Sequence, residues 1–371
     1  MNATVPATTS FHEAIPRAAA IPKARRDSSL DFLRFLGVAG IVIAHNSPPA
    51  WLFQLRQFDV PLVILISAIL IERQYRHRPF TAGEYLRKRA GRILAPTWFF
   101  FVLYFLIVAL WSRVTGTPFP YAAKAVVGTF LLGSGIGAVW IFRINLAVAV
   151  LSPPLLRANA WLGARVWLAI PAIMGLLELI NAFMRPTGSS SVDSLIKYLV
   201  VEPLPYYAVA LIGFNLGRLS TRRILALAAV MLSVFLVELG WLRWAGLPLD
   251  TQSYKYPAQI YYLSYALFCS LVLYVGFTRP AVAARLPEWL CNLGAYSMWI
   301  YLWHIFWLFV VAQTLQRYPE GAFHSFTIRY VFVLVASIIT TLLMRAVASR
   351  FVDQRSPESP VAQWTSILFL K

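Results

Sequence analysis

The sequence predicts an all-α membrane protein, a polytopic bundle of about ten transmembrane helices with both ends in the cytoplasm. Hydrophobic residues make up 59% of the 371 residues and charged residues only 13%, which leaves too little charge to cover a soluble domain of this size. The apolar residues fall into separate runs long enough to span a bilayer. The segments between these runs are alternately rich and poor in Lys and Arg.

Each predicted span is a run of about 20 mainly apolar residues, the length that crosses a bilayer as an α-helix. The clearest runs are 93–111, 166–184, 224–242, 258–278, 293–312 and 326–345. The others are shorter or carry charge or proline: 31–46, 58–71, 139–156 and 198–217. The stretch 122–134 is apolar but short and contains Lys124, so it is predicted to be a helix at the outer interface.

The distribution of basic residues predicts the orientation. With the N-terminus inside, the inside segments carry 23 Lys and Arg residues and the outside loops carry eight; Arg143 and Arg329, within spans, complete the 33. Cytoplasmic loops of membrane proteins carry an excess of Lys and Arg, so the sequence favours an N-in, C-in topology.

The chain is predicted to consist of three regions. Residues 1–27 form a basic, Ala- and Pro-rich tail that is predicted to be disordered, 28–349 the transmembrane domain and 350–371 a cytoplasmic tail. The net charge of +18 would suit a nucleic-acid partner. Its basic residues, however, lie in short clusters between apolar runs, so the expected partner is the lipid bilayer and no nucleic acid. The two cysteines, Cys269 and Cys291, lack metal-ligand spacing, and no metal is expected.

Ionisable residues inside spans are costly and are therefore candidates for function. The predicted spans and their immediate ends contain Arg34, His45, Arg143, Glu178, Glu202, Glu238, His304 and Arg329. Several of these are expected to pair with one another inside the bundle.

The first span contains Arg34 and, after ten intervening residues, His45. Ser28 and Asp31 fit a helix-start capping pattern, and Pro48 and Pro49 end the helix. Eleven helical steps rise roughly 16 Å and make about three turns, so both side chains share one face, with Arg34 near the cytoplasm and His45 deep toward the far side. The alternative is structural: Arg34 extends to the interface and His45 bonds a neighbouring helix.

The cytoplasmic loop 72–92 contains seven basic residues, more than orientation alone requires. Arg87, Arg89 and Arg92 continue directly into the third span, where they can face a polyanion at the membrane surface. Arginine suits phosphate because its planar fork binds two oxygens. An ordinary positive-inside loop remains the alternative for some of these residues.

The ninth span contains His304 beside Trp303 and Trp307. A single histidine within a membrane span is more often structural than chemical. The neighbouring tryptophans and tyrosines are expected to pack and to anchor the interface.

In chain order, four blocks resemble the acyltransferase-3 family of membrane-bound O-acyltransferases. They are LDFLRFLGVAGIVIAH with Arg34 and His45, DVPLVILISAILI with an acidic residue ahead of Ser67, RKRAGRILAPTW at the start of the third span, and YSMWIYLWH ending at His304. Two features depart from the family pattern. Ala68 replaces a glycine, and Ala147 and Ala149 stand where the family usually has a polar or aromatic residue after Trp140. Arg143 and Asn145 lie in that region instead.

The resemblance implies an enzyme of the bacterial inner membrane that moves an acyl group, usually acetyl, from cytoplasmic acyl-CoA to an envelope polysaccharide or lipid-linked sugar. The stand-alone form, without an added soluble domain, is implied. Arg87, Arg89, Arg92 and Arg34 would hold the phosphates of acetyl-CoA, and His45 would be catalytic. Ser67, Arg143 and His304 are candidates for lining the pathway.

The sequence leaves two kinds of alternative open. His45 can act as a general base on a sugar hydroxyl, or it can carry the acyl group as a transient acyl-histidine. The same charges inside the membrane would also suit a transporter of polysaccharide or lipid-linked sugar that performs no chemistry. A purely structural membrane subunit is a third alternative, which leaves His45 and the surplus of arginines without a role.

Overall fold

The structure is a computed structural model that describes residues 27–77, 81–133, 135–183, 193, 196–318, 320–356 and 359–370. The predicted disordered tail at 1–27 lies outside the described residues apart from Asp27. The described part of the chain is helical and contains no strand, with a single isolated bridge between Lys255 and Ala258. The predicted all-α fold is confirmed.

The first half of the bundle consists of α1 (Ser28–Ala44), α2 (Ala50–Leu55), α3 (Asp59–His77), α4 (Ala82–Thr115), α5 (Ala123–Phe130), α6 (Trp140–Leu162) and α7 (Val166–Phe183). The second half consists of α8 (Leu204–Leu216), α9 (Thr221–Trp244), α10 (Ile260–Thr278), α11 (Pro280–Ala283), α12 (Glu288–Ala295), α13 (Ser297–Arg317), α14 (Phe326–Asp353) and α15 (Pro360–Thr365). A π-helical turn, Lys197–Val201, precedes α8, and another, Ser366–Leu370, follows α15.

Within the described residues, eight helical segments are long and apolar enough to cross a membrane. One of them, Gly137–Asn181, includes both α6 and α7, which are separated by the short 3-10 turn Gly163–Arg165. Helix α1 has 17 residues and falls just below the length of the others. Counted in this way, the helices correspond one for one to the predicted spans, and α5 matches the predicted interfacial stretch.

The starts of α1 and α4, both on the predicted cytoplasmic side, differ from the sequence prediction. Asp27, and not Ser28 or Asp31, caps α1, because its carboxylate accepts hydrogen bonds from the backbone N–H groups of Ser29 and Leu30. Helix α4 has 34 residues and a length of about 51 Å, so it extends well beyond a bilayer core of about 30 Å. Its first turns, which contain the predicted arginine cluster, therefore extend past the predicted membrane core, although Tyr85 among them is buried.

Helix α1 lies at the centre of the bundle and packs against α3, α10, α12, α13 and α14. Small residues permit these close contacts. A Cβ at Gly294 in α12 would lie 1.8 Å from the backbone oxygen of Asp31, and a Cβ at Gly213 in α8 would lie 2.7 Å from the Cβ of Ala68 in α3. The methyl group of Ala68 is thus accommodated by a glycine on the facing helix.

The C-terminal segment is packed against the bundle. The indole N–H of Trp299 donates to the backbone oxygen of Leu368 at 2.9 Å, and the Arg345 guanidinium donates to that of Phe369 at 2.6 Å. The Phe369 ring lies against Trp299 and against Phe99 of α4. The turn Ser366–Leu370 therefore lies between the start of α13 and the middle of α4.

Candidate active site

His45 lies at the C-terminal end of α1, where the sequence stops the helix. It is the C-cap residue, Ser47 adopts a positive φ of 51°, and Pro48 and Pro49 follow. The Asn46 side chain donates a hydrogen bond back to the Val42 carbonyl at 2.7 Å, which ties the turn to the last helical residues. The imidazole is therefore carried on a fixed turn at the helix end.

His304 of α13 contacts His45 directly. The distance from Nδ1 of His45 to Nε2 of His304 is 3.0 Å, and the two ring planes are nearly parallel, with an interplanar angle of 19°. His304 is fully buried, and its Nδ1 is hydrogen-bonded to the backbone carbonyl of Tyr301. The structure thus brings together two predicted site residues that are 259 positions apart.

The hydrogen bonds assign the tautomer of each neutral ring. The Tyr301 carbonyl can only accept, so Nδ1 of His304 carries its hydrogen. Nε2 of His304 then has a lone pair, and Nδ1 of His45 donates to it. The lone pair of His45 therefore lies on Nε2, which leaves that nitrogen available to a molecule in the cavities that His45 lines.

His45 lies at the boundary of a cavity of about 890 Å³, here called the main cavity. Its lining includes residues from segments predicted to be outside, among them Ser47, Pro120, Tyr121, Tyr256 and Gln313. The predicted topology therefore opens this cavity to the extracytoplasmic face. Aromatic side chains form much of the wall: Tyr104, Tyr121, Trp140, Tyr256 and Phe309.

Several contacts hold the walls of the main cavity in place. The hydroxyl groups of Tyr104 and Tyr121 are hydrogen-bonded at 2.5 Å, and the Tyr301 hydroxyl donates to the Ala138 carbonyl. Arg329 of α14 donates to the Asn46 carbonyl at 3.0 Å and to the carbonyls of Phe323 and His324 in the turn before its own helix. Arg329 therefore joins α14 to the turn that carries His45.

A second cavity of about 110 Å³, here called the side chamber, adjoins the main cavity. His45, Trp140 and Tyr256 line both. The other polar residues lining the chamber include Arg56, Asp59, Gln252 and Lys255.

Three of these residues form a buried ion cluster. Nη1 of Arg56 lies 2.7 Å from Oδ2 of Asp59, and Nζ of Lys255 lies 3.6 Å from Oδ1. The backbone N–H of Val60 also donates to Asp59 at 2.7 Å. The loop that carries Lys255 is held by Gln57, which donates to Gln252 at 3.0 Å. Asp59 thus positions both cations beside His45.

The arginines predicted to bind the donor lie near the N-terminal ends of α1 and α4, whereas His45 follows the C-terminal end of α1. Arg87 and Arg92 are exposed on the first turns of α4, whereas Arg89 is half-buried and its Nε has no hydrogen-bond partner among the described residues. Arg34 is half-buried on α1. Because α4 packs mainly against α6 and the C-terminal turn, whereas α1 packs in the bundle centre, donor binding by all four together stays a prediction.

Two further predicted residues lie away from His45. Ser67 is buried in α3, about two helical turns from Asp59 toward the predicted cytoplasmic end. Arg143 is ion-paired with Glu202 and donates to the Leu132 carbonyl at 2.7 Å. Neither residue lines the main cavity or the side chamber. Arg143 stabilises the connection after α5, and the pathway role of both residues stays a prediction.

Sequence reasoning missed Arg56 and Lys255 as parts of the site. Both were counted as ordinary basic residues of outside loops, yet each is only 4% exposed. Their signal was weak but present, since outside loops are usually poor in Lys and Arg. In the described part of the chain, no group of three His, Cys, Asp or Glu side chains lies close enough to hold a metal.

Comparison with known protein families gives a match over most of the chain. A family model described as an acyltransferase domain, of the acyltransferase-3 type, matches residues 27–346, which is most of the chain. No curated protein matches the chain, and neither does any solved structure. The matched range includes every residue of the main cavity, the side chamber and the arginine cluster.

Proposed function

Because the chain belongs to the acyltransferase-3 family of multi-pass membrane acyltransferases, we propose that it moves an acyl group from cytoplasmic acyl-CoA to a hydroxyl of an envelope polysaccharide or lipid-linked sugar. Acetyl is the proposed acyl group, and the bacterial inner membrane is the proposed location. The observation that carries this proposal is the His45–His304 pair, which leaves Nε2 of His45 unprotonated at the boundary of a large cavity.

The acceptor is proposed to bind in the main cavity. A volume of about 890 Å³ lies within the usual range for small-molecule sites and accommodates one or a few sugar residues. Flat aromatic rings such as Trp140 and Tyr256 can pack against the apolar face of a sugar ring. Under the predicted topology, an acceptor would then reach His45 from the extracytoplasmic side.

The donor is proposed to approach from the cytoplasm. Coenzyme A is a nucleotide polyanion with a long flexible arm, and the arginines at the start of α4 can bind its phosphates. From Arg34 to His45 along α1 is roughly 16 Å. In this proposal the thioester arm bridges that distance, and the arginines hold the nucleotide at the membrane surface.

In the direct route, Nε2 of His45 accepts the proton of the acceptor hydroxyl as its oxygen attacks the thioester carbon. A carbon–oxygen bond forms, the carbon–sulfur bond breaks, and the imidazolium returns the proton to the departing thiolate. His304 accepts a hydrogen bond from Nδ1 of His45 and so keeps the basic nitrogen at Nε2.

An acyl-histidine relay uses the same nitrogen in a different role. Nε2 of His45 would attack the thioester carbon and release the thiolate, which leaves an acyl-imidazolium because Nδ1 keeps its hydrogen. The acceptor oxygen would then attack the acyl carbon, the carbon–nitrogen bond would break to restore neutral His45, and the proton lost by the hydroxyl would balance the one taken up by the thiolate. This route suits a site with donor and acceptor on opposite sides of the membrane. Trapping with labelled acetyl-CoA in the absence of acceptor, followed by peptide mass spectrometry, separates the two routes.

A transporter without chemistry is the alternative function. It would use the cationic residues to guide an anionic substrate and would have no use for acetyl-CoA. The test is mass spectrometry of envelope glycans from cells with and without this protein. Loss of an O-acyl group that returns with the wild-type gene but not with His45→Gln supports the enzyme, whereas unchanged acylation with altered glycan export supports the transporter.

A further inference from the structure

The side chamber contains more positive than negative charge. Arg56 and Lys255 are both 4% exposed, and Asp59, their carboxylate partner, is 0% exposed. Two buried cations against one carboxylate leave a net charge of +1 in a site with little solvent to screen it. A buried charge without full compensation is costly, so its retention needs a reason other than stability.

The cations also have unused hydrogen-bond donors. Nε of Arg56 is buried and has no partner within the described part of the chain. The Lys255 ammonium has three N–H groups, and its nitrogen lies 3.4 Å from Oε1 of Gln57 and 3.6 Å from Oδ1 of Asp59. These distances are longer than those of strong charge-assisted bonds, which are about 2.7–2.9 Å. The oxygen of a bound molecule could therefore accept a shorter hydrogen bond from Lys255 than Gln57 or Asp59 does.

The position of the chamber fits a reacting group. It shares His45, Trp140 and Tyr256 with the main cavity, so a molecule at His45 reaches both spaces. A volume of about 110 Å³ holds a few atoms, such as those of a small acyl group, but it is too small for a sugar residue. The chamber is thus of a suitable size for the group being transferred, beside the proposed base.

We propose that Lys255 and Arg56 form an oxyanion site that stabilises the carbonyl oxygen of the acyl group during transfer. The inference rests on the proposed acyl transfer and adds two catalytic residues to it. Asp59 is a positioning residue, because its two carboxylate oxygens hold the two cations. Preorganised donors directed at a developing negative charge are often the largest single contribution to such a reaction.

The acceptor oxygen forms its bond to the thioester carbon while its proton moves to Nε2 of His45. The electron pair of the carbonyl π bond moves onto the carbonyl oxygen, where N–H groups of Lys255 and Arg56 stabilise it. Collapse of this intermediate restores the carbonyl and expels the thiolate, which takes the proton from His45. In the relay route the same oxyanion forms in each of the two steps.

Lys255 must be charged for this role, and it lies in the loop before α10, outside the membrane-spanning helices. Burial lowers the pKa of its ammonium group to about 8, while the Asp59 carboxylate opposes the fall and Arg56 adds to it. The remaining titratable groups near it are His45, Tyr256 and Tyr262. The positive charge is present below about pH 8 and is lost as the pH rises through this value. Transfer should therefore decline above about pH 8.

The test uses purified full-length protein, acetyl-CoA and a glycan fraction isolated from cells that lack this chain. Lys255→Met should lower kcat by about 10²–10³ while the KM for acetyl-CoA changes little, because the interaction forms only as charge develops. Lys255→Arg should keep part of the activity and extend it to higher pH, since arginine stays charged. Lys124→Met, the same change at an exposed lysine of α5, is the matched control and should leave kcat unchanged.

Full activity of folded Lys255→Met overturns the oxyanion site but leaves the proposed acyl transfer standing. Absence of transfer by the wild-type protein, with every glycan fraction tried, overturns both. If Lys255→Met does not fold, Arg56→Lys tests the oxyanion site instead, because lysine keeps the positive charge but lacks the Nε–H donor of arginine. A fall in kcat with unchanged thermal unfolding supports the site, and wild-type kcat contradicts it.

Discussion

Nδ1 of His45 and Nε2 of His304 lie 3.0 Å apart, so two imidazoles from the first and the ninth predicted spans form one hydrogen-bonded pair. His45 donates a hydrogen bond to His304, and His304 in turn donates to the Tyr301 carbonyl. This chain of hydrogen bonds gives His304 a defined role, which is to hold the His45 ring and fix its basic nitrogen.

Replacing His304 tests that role. His304→Leu should lower kcat by about 10²-fold or more, because Nδ1 of His45 loses its acceptor and the ring can adopt the other tautomer. His304→Gln should retain more activity, since an amide oxygen can accept the same hydrogen bond. The measurement is acyl transfer per folded molecule for each variant. Equal activities for the leucine and glutamine variants would contradict the tautomer argument.

The donor assignment predicts a different kinetic change. Arg89→Ala combined with Arg92→Ala should raise the KM for acetyl-CoA roughly tenfold or more, because two phosphate contacts are lost. Lysine at both positions should rescue only partly, since it lacks the planar fork. Arg113→Ala, at the other end of the same helix, is the matched control. Unchanged donor kinetics in the double alanine variant would remove α4 from the donor site.

The topology prediction is tested by labelling with a thiol reagent that does not cross the membrane. In a protein lacking Cys269 and Cys291, a cysteine at Gln313 in the main cavity should react from the extracytoplasmic side. A cysteine at Arg87 should react only after the membrane is permeabilised. Reaction of the Arg87 position in intact cells would reverse the predicted orientation and the proposed side of acceptor binding.

Close helix packing gives a prediction for stability. Gly213→Ala places a methyl group 2.7 Å from the Ala68 Cβ and 2.9 Å from the Leu65 carbonyl oxygen, so α3 and α8 must separate. Overpacking of this kind costs about 1–3 kcal/mol and should lower the thermal unfolding temperature in detergent. Adding Ala68→Gly should recover part of the loss, because the Leu65 contact remains. Gly240→Ala, where nothing lies within 4 Å, should not lower stability, because alanine favours the helix and meets no neighbour.

The fold was accessible from sequence because span length and the distribution of Lys and Arg are local properties. His45 and His304 were identified individually, since ionisable residues within spans are rare. Their contact was not predicted, because it depends on how α1 and α13 pack, and residues 259 apart share no local pattern. Arg56 and Lys255 were not predicted for the same reason. In the sequence each resembles an ordinary basic residue of a loop, and only folding buries it against Asp59.

The central claim is that Nε2 of His45 acts chemically in acyl transfer. His45→Gln tests it most directly, because a glutamine amide can still donate a hydrogen bond to His304 but cannot accept a proton or form an acyl-imidazole at neutral pH. The measurement is transfer from acetyl-CoA to the glycan fraction by purified protein, normalised to the folded fraction. The account predicts that the folded variant transfers less than about 1% of the wild-type rate. Activity near that of the wild type would show that His45 is structural.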